Sequence, residues 1–119
     1  MKLFFDGGCR PNPGRIETAV VTAGRSHVVR DAGFGDNSDA EWLALIAAAM
    51  IARDSGARDV TFLGDSAAIV AQASGVARCR RGHLAVYEDI VAGIPRVHVR
   101  RIPRSRNLAG IALAAAHPR

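Results

Sequence analysis

Lysine is almost missing from this chain of 119 residues: of sixteen basic side chains, Lys2 alone is not arginine. Aromatic residues amount to 5%, too few to build a platform that binds single strands by stacking bases on rings. No apolar run approaches the ~18 residues of a membrane-spanning helix. The start, Met1-Lys2 followed by a strand-like segment, lacks the long apolar region of an export signal. Cys9 and Cys79 do not have metal-ligand spacing. Without an export signal they read as a reduced, cytoplasmic pair, the alternative being one bridge. Acidic residues stop at Asp89, and the chain has no internal repeat, low-complexity tract or linker.

Hydrophobic residues make up 49%, enough for a core, and the length predicts one compact domain over residues 1–119. Net charge is +5, with a pI near 10.5. Arg78, Arg80, Arg81, Arg96, Arg100, Arg101, Arg104 and Arg106 crowd the later half. Such asymmetry suits a phosphate-binding face, and it equally suits a solubilising surface.

The pattern predicts strands at Leu3–Asp6, Ile16–Ala23 and Ser26–Phe34. A Gly/Pro-rich turn over Gly7–Gly14 and a tight turn at Gly24-Arg25 separate them. A helix follows, capped by Asn37 or Ser38. Glu41 stands three residues after Ser38, as a capping box requires, and the helix runs to Asp54 with Gly56 beyond its end. Asp59–Leu63 reads as a strand, Ser66–Gln72 and His83–Ala92 as helices, Val97–Ile102 as the last strand and Arg104–Ala116 as the last helix. A β-β-β-α-β-α-α-β-α order implies an α/β fold. Its mixed sheet combines an antiparallel meander with parallel strands and is flanked by helices. The first strand and Asp59–Leu63 can lie side by side. Asp6 and Asp65 would then emerge together at the carboxyl ends of neighbouring strands, where open α/β sheets place their sites.

Three carboxylates stand out. Asp6 ends an apolar run and precedes Gly7-Gly8, which leave access for a bulky polyanion. Glu41 sits in Asn37-Ser38-Asp39-Ala40-Glu41, and Asp65 in Gly64-Asp65-Ser66. Each also has a plain structural role: a turn Asp before Gly, the partner in a capping box, the cap of the next helix. Trp42 reads as core, and Ser66 as a cap. His83 and His98 have no carboxylate or cysteine at ligand spacing and read as surface or satisfied core residues.

Four stretches in order resemble the ribonuclease H family. They are Asp6-Gly7-Gly8 with Pro11-Asn12-Pro13-Gly14, Asp36 through Leu45, Gly64-Asp65-Ser66, and Pro103-Arg104 through Asn107 to Leu113-Ala114. The resemblance spans nearly the whole chain and fits the short form without a basic helical protrusion. It implies a five-stranded ribonuclease H-like sheet and a cytoplasmic endonuclease that hydrolyses the RNA strand of RNA:DNA hybrids. It also implies up to two Mg²⁺ or Mn²⁺ ions, which suit oxygen ligands. By resemblance Asp6 bridges both ions, while Glu41 and Asp65 hold the one on the leaving-group side. The backbone at Gly7, Gly8 and Cys9, with Asn12 and Asn37, would read ribose 2′-hydroxyls, and Arg104 fits the family pattern for nucleic-acid contact. Arg78, Arg80 and Arg81 are candidates for the DNA strand.

The chain departs from the family at one position. The last helix of the family carries Arg-x-x-Asn-x-x-Ala-Asp-x-Leu-Ala. Here Arg104, Asn107, Leu113 and Ala114 stand in register, but Ile111 occupies the Asp position. His117, about 240° further round the helix, does not replace it. Two outcomes follow: an enzyme with weakened metal binding, or a weak or inactive nucleic-acid-binding module on the same fold. A third reading is a structural or partner-binding domain whose acidic residues are caps.

Overall fold

The computed structural model describes residues 1–79 and 82–116. Arg80, Arg81 and His117, named above as candidates, lie outside the described residues. The strands are β1 (Lys2–Cys9), β2 (Gly14–Thr22), β3 (Arg25–Val29), β4 (Phe34–Gly35), β5 (Asp59–Gly64) and β6 (Arg96–Arg101). The helices are α1 (Asn37–Asp54), α2 (Ala67–Ala73), α3 (His83–Val91) and α4 (Leu108–Ala115), with a 3₁₀ turn at Arg104–Arg106.

The sheet order is β3-β2-β1-β5-β6, and the short β4 pairs with β2. β1, β2 and β3 form the antiparallel meander, while β1–β5 and β5–β6 are parallel. The mixed α/β sheet is the expected one, with a sixth strand added because the third predicted strand breaks in two. Pairing with β2 lasts only through Val29. The chain then bends at Gly33, whose φ of 138° suits glycine, and Phe34–Gly35 returns to pair with Gly14 and Arg15. β1 is longer than expected. Gly7, Gly8 and Cys9 read locally as a turn, yet they pair with Thr18, Glu17 and Ile16; the ladder overrides the local preference.

Two helix starts also differ from expectation. The capping box of α1 joins Asp36 and Asp39. The Asp39 N–H donates to Asp36 Oδ1 (2.9 Å), and the Asp36 N–H to Asp39 Oδ2 (3.0 Å). Asn37 is therefore inside the helix, and Glu41 has no part in the cap. Helix α4 begins later than Arg104: Asn107 caps it, its Oδ1 accepting from the Ala109 N–H at 3.1 Å. Ser66 does cap α2, as the sequence indicates, and α1 ends at Asp54 as expected.

Alternation along β1 divides the core. Leu3 and Phe5 join Val60 and Phe62 under α1, whose Ala44, Leu45, Ala48 and Ala49 face them. Small alanines let the helix lie close to the sheet. Phe4 turns to the opposite face, where α4 packs Ala109 and Leu113 on Ala19 and Val21. Trp42 is core, 1% exposed, with Nε1 donating to Gln72 Oε1 at 2.8 Å. His83 finds the carboxylate that sequence spacing hid: Nε2 lies 3.0 Å from Asp39 Oδ1, and the ring stacks on Trp42. Cys9 carries no disulfide, so it and Cys79 do not form the bridge that was the alternative. Among the described residues, no helix is long and apolar enough to cross a membrane.

Candidate active site

β1 outruns its parallel neighbour. Its pairing with β5 covers Lys2 to Phe4, after which β1 continues to Cys9 while β5 ends at Gly64. The exposed edge of β1 needs a partner for its backbone. Glu41 reaches it from the second turn of α1: the Gly7 N–H donates to Glu41 Oε1 at 3.1 Å. Glycine is required at position 7, since a Cβ there would collide with the Ala40 carbonyl. The motif thus brings α1 against β1 as well as leaving access.

Asp6, one residue earlier, points to the α4 face, and its Oδ2 would lie 3.4 Å from a Cβ placed on Gly110. Its carboxyl also meets that of Glu41. Burial raises the Asp6 pKa first of all, with the charge of Asp65 adding to it; the bond to Glu41, Arg104 and the Gly7 amide pull the other way. Burial, followed by the contact with Asp6, pushes Glu41 up to about 9. Glu41 Oε2 is buried with no hydrogen-bond partner. Two carboxylates in contact hydrogen-bond only if one keeps a proton; otherwise a cation must neutralise them.

Asp65 follows the end of β5. It does not cap α2. Instead Asn107 Nδ2 donates to Asp65 Oδ2 at 2.9 Å and to the Phe5 carbonyl at 3.0 Å. Asn107 is fully buried and links β1, β5 and α4. The sequence placed it in register with the family pattern but gave it no role, because its partners are remote along the chain. Arg101 Nε reaches the Asp65 carbonyl at 3.3 Å.

Asp6, Glu41 and Asp65 line one open cavity of about 750 Å³, shared with Gly7, Gly8, Cys9, Asn37, Arg104 and Ile111. Folding therefore gathers the three carboxylates that the sequence singled out. They form a contacting pair, Asp6 and Glu41, with Asp65 acting on both through its charge. Among the described residues, no group of three or more His, Cys, Asp or Glu closes tightly enough to hold a metal ion alone. Asn37 Oδ1 accepts from the Cys9 N–H at 3.2 Å, and Asn12 Oδ1 from the Asn37 N–H at 3.2 Å. Both side chains thereby brace the loop beside the cavity. Ile111 is 55% exposed on the cavity wall. Glu17, not singled out in the sequence, also lines it.

A family described as reverse transcriptase-like matches residues 5–117. Ribonuclease HI of Halobacterium salinarum is 31% identical over 121 residues; the match covers 93% of this chain, which spans 60% of that relative's length. The crystal structure of RNase H1 from the same archaeon superposes with a TM-score of 0.80 at 27% identity, covering 94% of this chain and 92% of that one. The N-terminal RNase H domain of a Mycobacterium tuberculosis protein gives 0.77 at 30% identity, covering 94% and 93%. LC11-RNase H1, solved in complex with an RNA/DNA hybrid, gives 0.79 at 25% identity, covering 94% and 91%. With likeness of sequence and of fold running together along nearly all its length, the chain belongs to the ribonuclease H family.

Proposed function

We propose that this chain is an endonuclease that hydrolyses the RNA strand of RNA:DNA hybrids with the help of Mg²⁺ or Mn²⁺. The observation that carries the reading is the Asp6–Glu41 carboxyl pair, with a buried oxygen that nothing on the protein satisfies. Hard oxygen donors, buried together with a third carboxylate beside them, fit a divalent cation. Asp6 and Glu41 would hold it, with Asp65 as the third ligand kept in orientation by Asn107. Bound there, the cation supplies Lewis-acid polarisation of a phosphoryl oxygen and an acidified water.

The chain's own groups do the rest. Glu41 ties the carboxyl pair to β1 through the Gly7 amide. The backbone of Gly7, Gly8 and Cys9 lies open at the cavity, and its carbonyl oxygens can accept from ribose 2′-hydroxyls, which separate RNA from DNA. Asn37 holds the end of β1 through the Cys9 amide, Asn12 holds Asn37 in turn, and both add polar groups at the rim. Arg104 offers a guanidinium to a phosphate while favouring the ionised form of Asp6. A Cys9 outside any disulfide suits the cytoplasmic setting we propose. The relative solved with an RNA/DNA hybrid supports the choice of substrate.

One observation favours a second reading. Ile111 puts an apolar side chain on the cavity wall, where it ligates nothing, so the domain would bind nucleic acid and cut weakly or not at all. A labelled RNA:DNA duplex incubated with Mg²⁺ and then Mn²⁺ separates the two. Cleavage that Asp6→Asn abolishes supports the endonuclease; tight binding without cleavage supports the module. On the endonuclease reading, Ile111→Asp raises cleavage or metal affinity.

A further inference from the structure

A fourth carboxylate shares the cavity with Asp6, Glu41 and Asp65, and it is Glu17 of β2. In the antiparallel pairing of β1 with β2, Asp6 stands opposite Ala19, and Gly8 opposite Glu17. Directly opposed residues point to the same face, and so do residues two apart on one strand. Glu17 therefore projects from the face that carries Asp6, as its diagonal neighbour. Such neighbours lie about 7–8 Å apart, within reach of a long side chain.

The position between them is open. Gly8 has no side chain, and a Cβ built there would meet only Asn37 Oδ1, at 4.0 Å. The wall formed by α4 presents Gly110, Ile111, Leu113 and Ala114, none with a polar side chain. Across the adjacent strands β2, β1 and β5, the acidic residues run Glu17, Asp6, Asp65. Asp65 serves one flank of Asp6, and Glu17 stands on the other.

The same cavity holds a carboxylate oxygen in need of a cation: Glu41 Oε2 is buried with no hydrogen-bond partner. We propose that Glu17 is a further oxygen ligand of this site, holding a divalent cation on the β2 side of Asp6. The inference rests on the metal reading above and adds to it a residue from a strand that reading did not use.

Mn²⁺ titration of the metal-free full chain, followed by calorimetry and by the loss of the free-ion EPR signal without nucleic acid, tests it. Glu17→Gln is expected to weaken Mn²⁺ binding about ten-fold or more, or to remove one ion from the count, with Glu17→Asp retaining part of the affinity. Thermal unfolding of both metal-free variants is measured alongside, so that a folding defect is seen as such; Glu17→Asp then carries the test. Wild-type affinity and stoichiometry in both variants overturn the proposal. Asp6→Asn separates the two levels. If Asp6→Asn loses Mn²⁺ and the Glu17 variants do not, the assignment of Glu17 fails alone. If wild type and Asp6→Asn bind Mn²⁺ equally, the metal reading fails and this inference with it.

Discussion

The Glu41 carboxyl, pushed up to about 9 by burial and by Asp6, makes the metal-free protein sensitive to pH in a definite direction. A carboxyl whose pKa is raised on folding stabilises the fold fully below its ordinary value of 4.5. That contribution is lost as pH rises through the folded value. Asp6 is shifted in the same sense. In the presence of EDTA, the unfolding temperature is expected to fall between pH 5 and pH 9, and Glu41→Gln, which cannot ionise, to flatten that fall. Parallel pH profiles for the two proteins would contradict the carboxyl pair. Cation binding favours the ionised forms, so Mn²⁺ affinity should rise with pH over the same window.

Among the elements, the junction of β1, β5 and α4 depends on one amide. Asn107 is buried and satisfies the Phe5 carbonyl, Asp65 and the first turn of α4. Asn107→Ala leaves buried acceptors without donors and removes a helix cap, a loss expected to cost about 2–4 kcal/mol, measured by urea unfolding. Cleavage should fall further than stability accounts for, because Asp65 is no longer held. Only the cap is local in sequence; the bonds to Phe5 and Asp65 are remote, and nothing near Asn107 reveals them. The shifted capping box has another cause. Asp36 with Asp39 and Ser38 with Glu41 have the same spacing, and local chemistry does not choose between them. Packing of α1 against Gly7 chooses, and it leaves Glu41 for the cavity. The strands and α1 were legible because apolar alternation and periodicity are local signals, and Asp6 with Asp65 because neighbouring parallel strands end together; Glu41 joined them only through the family resemblance. The extension of β1 through Gly7-Gly8-Cys9 was not, because only β2 supplies its partners.

At the scale of the whole molecule, the +5 charge surrounds an acidic cavity. Arg100 and Arg101 end β6 on opposite faces, Arg104 and Arg106 follow in the turn after it, and Arg104 borders the cavity with Asp65. Four phosphate contacts there would reduce affinity for a hybrid duplex about a hundred-fold between 50 and 200 mM salt. Fluorescence anisotropy with a catalytically silent Asp6→Asn protein measures it. Arg104→Ala should lower the salt slope by about one, whereas a salt-independent affinity would leave these arginines as a solubilising surface.

The proposed function requires Asp6, Glu41 and Asp65 to hold a divalent cation together. A crystal soaked in Mn²⁺ near pH 8, with anomalous data collected at the manganese edge, addresses it directly. A peak is expected in contact with the Asp6 and Glu41 carboxylates, on the side of the cavity facing Asp65. A map without manganese at that pair would contradict it.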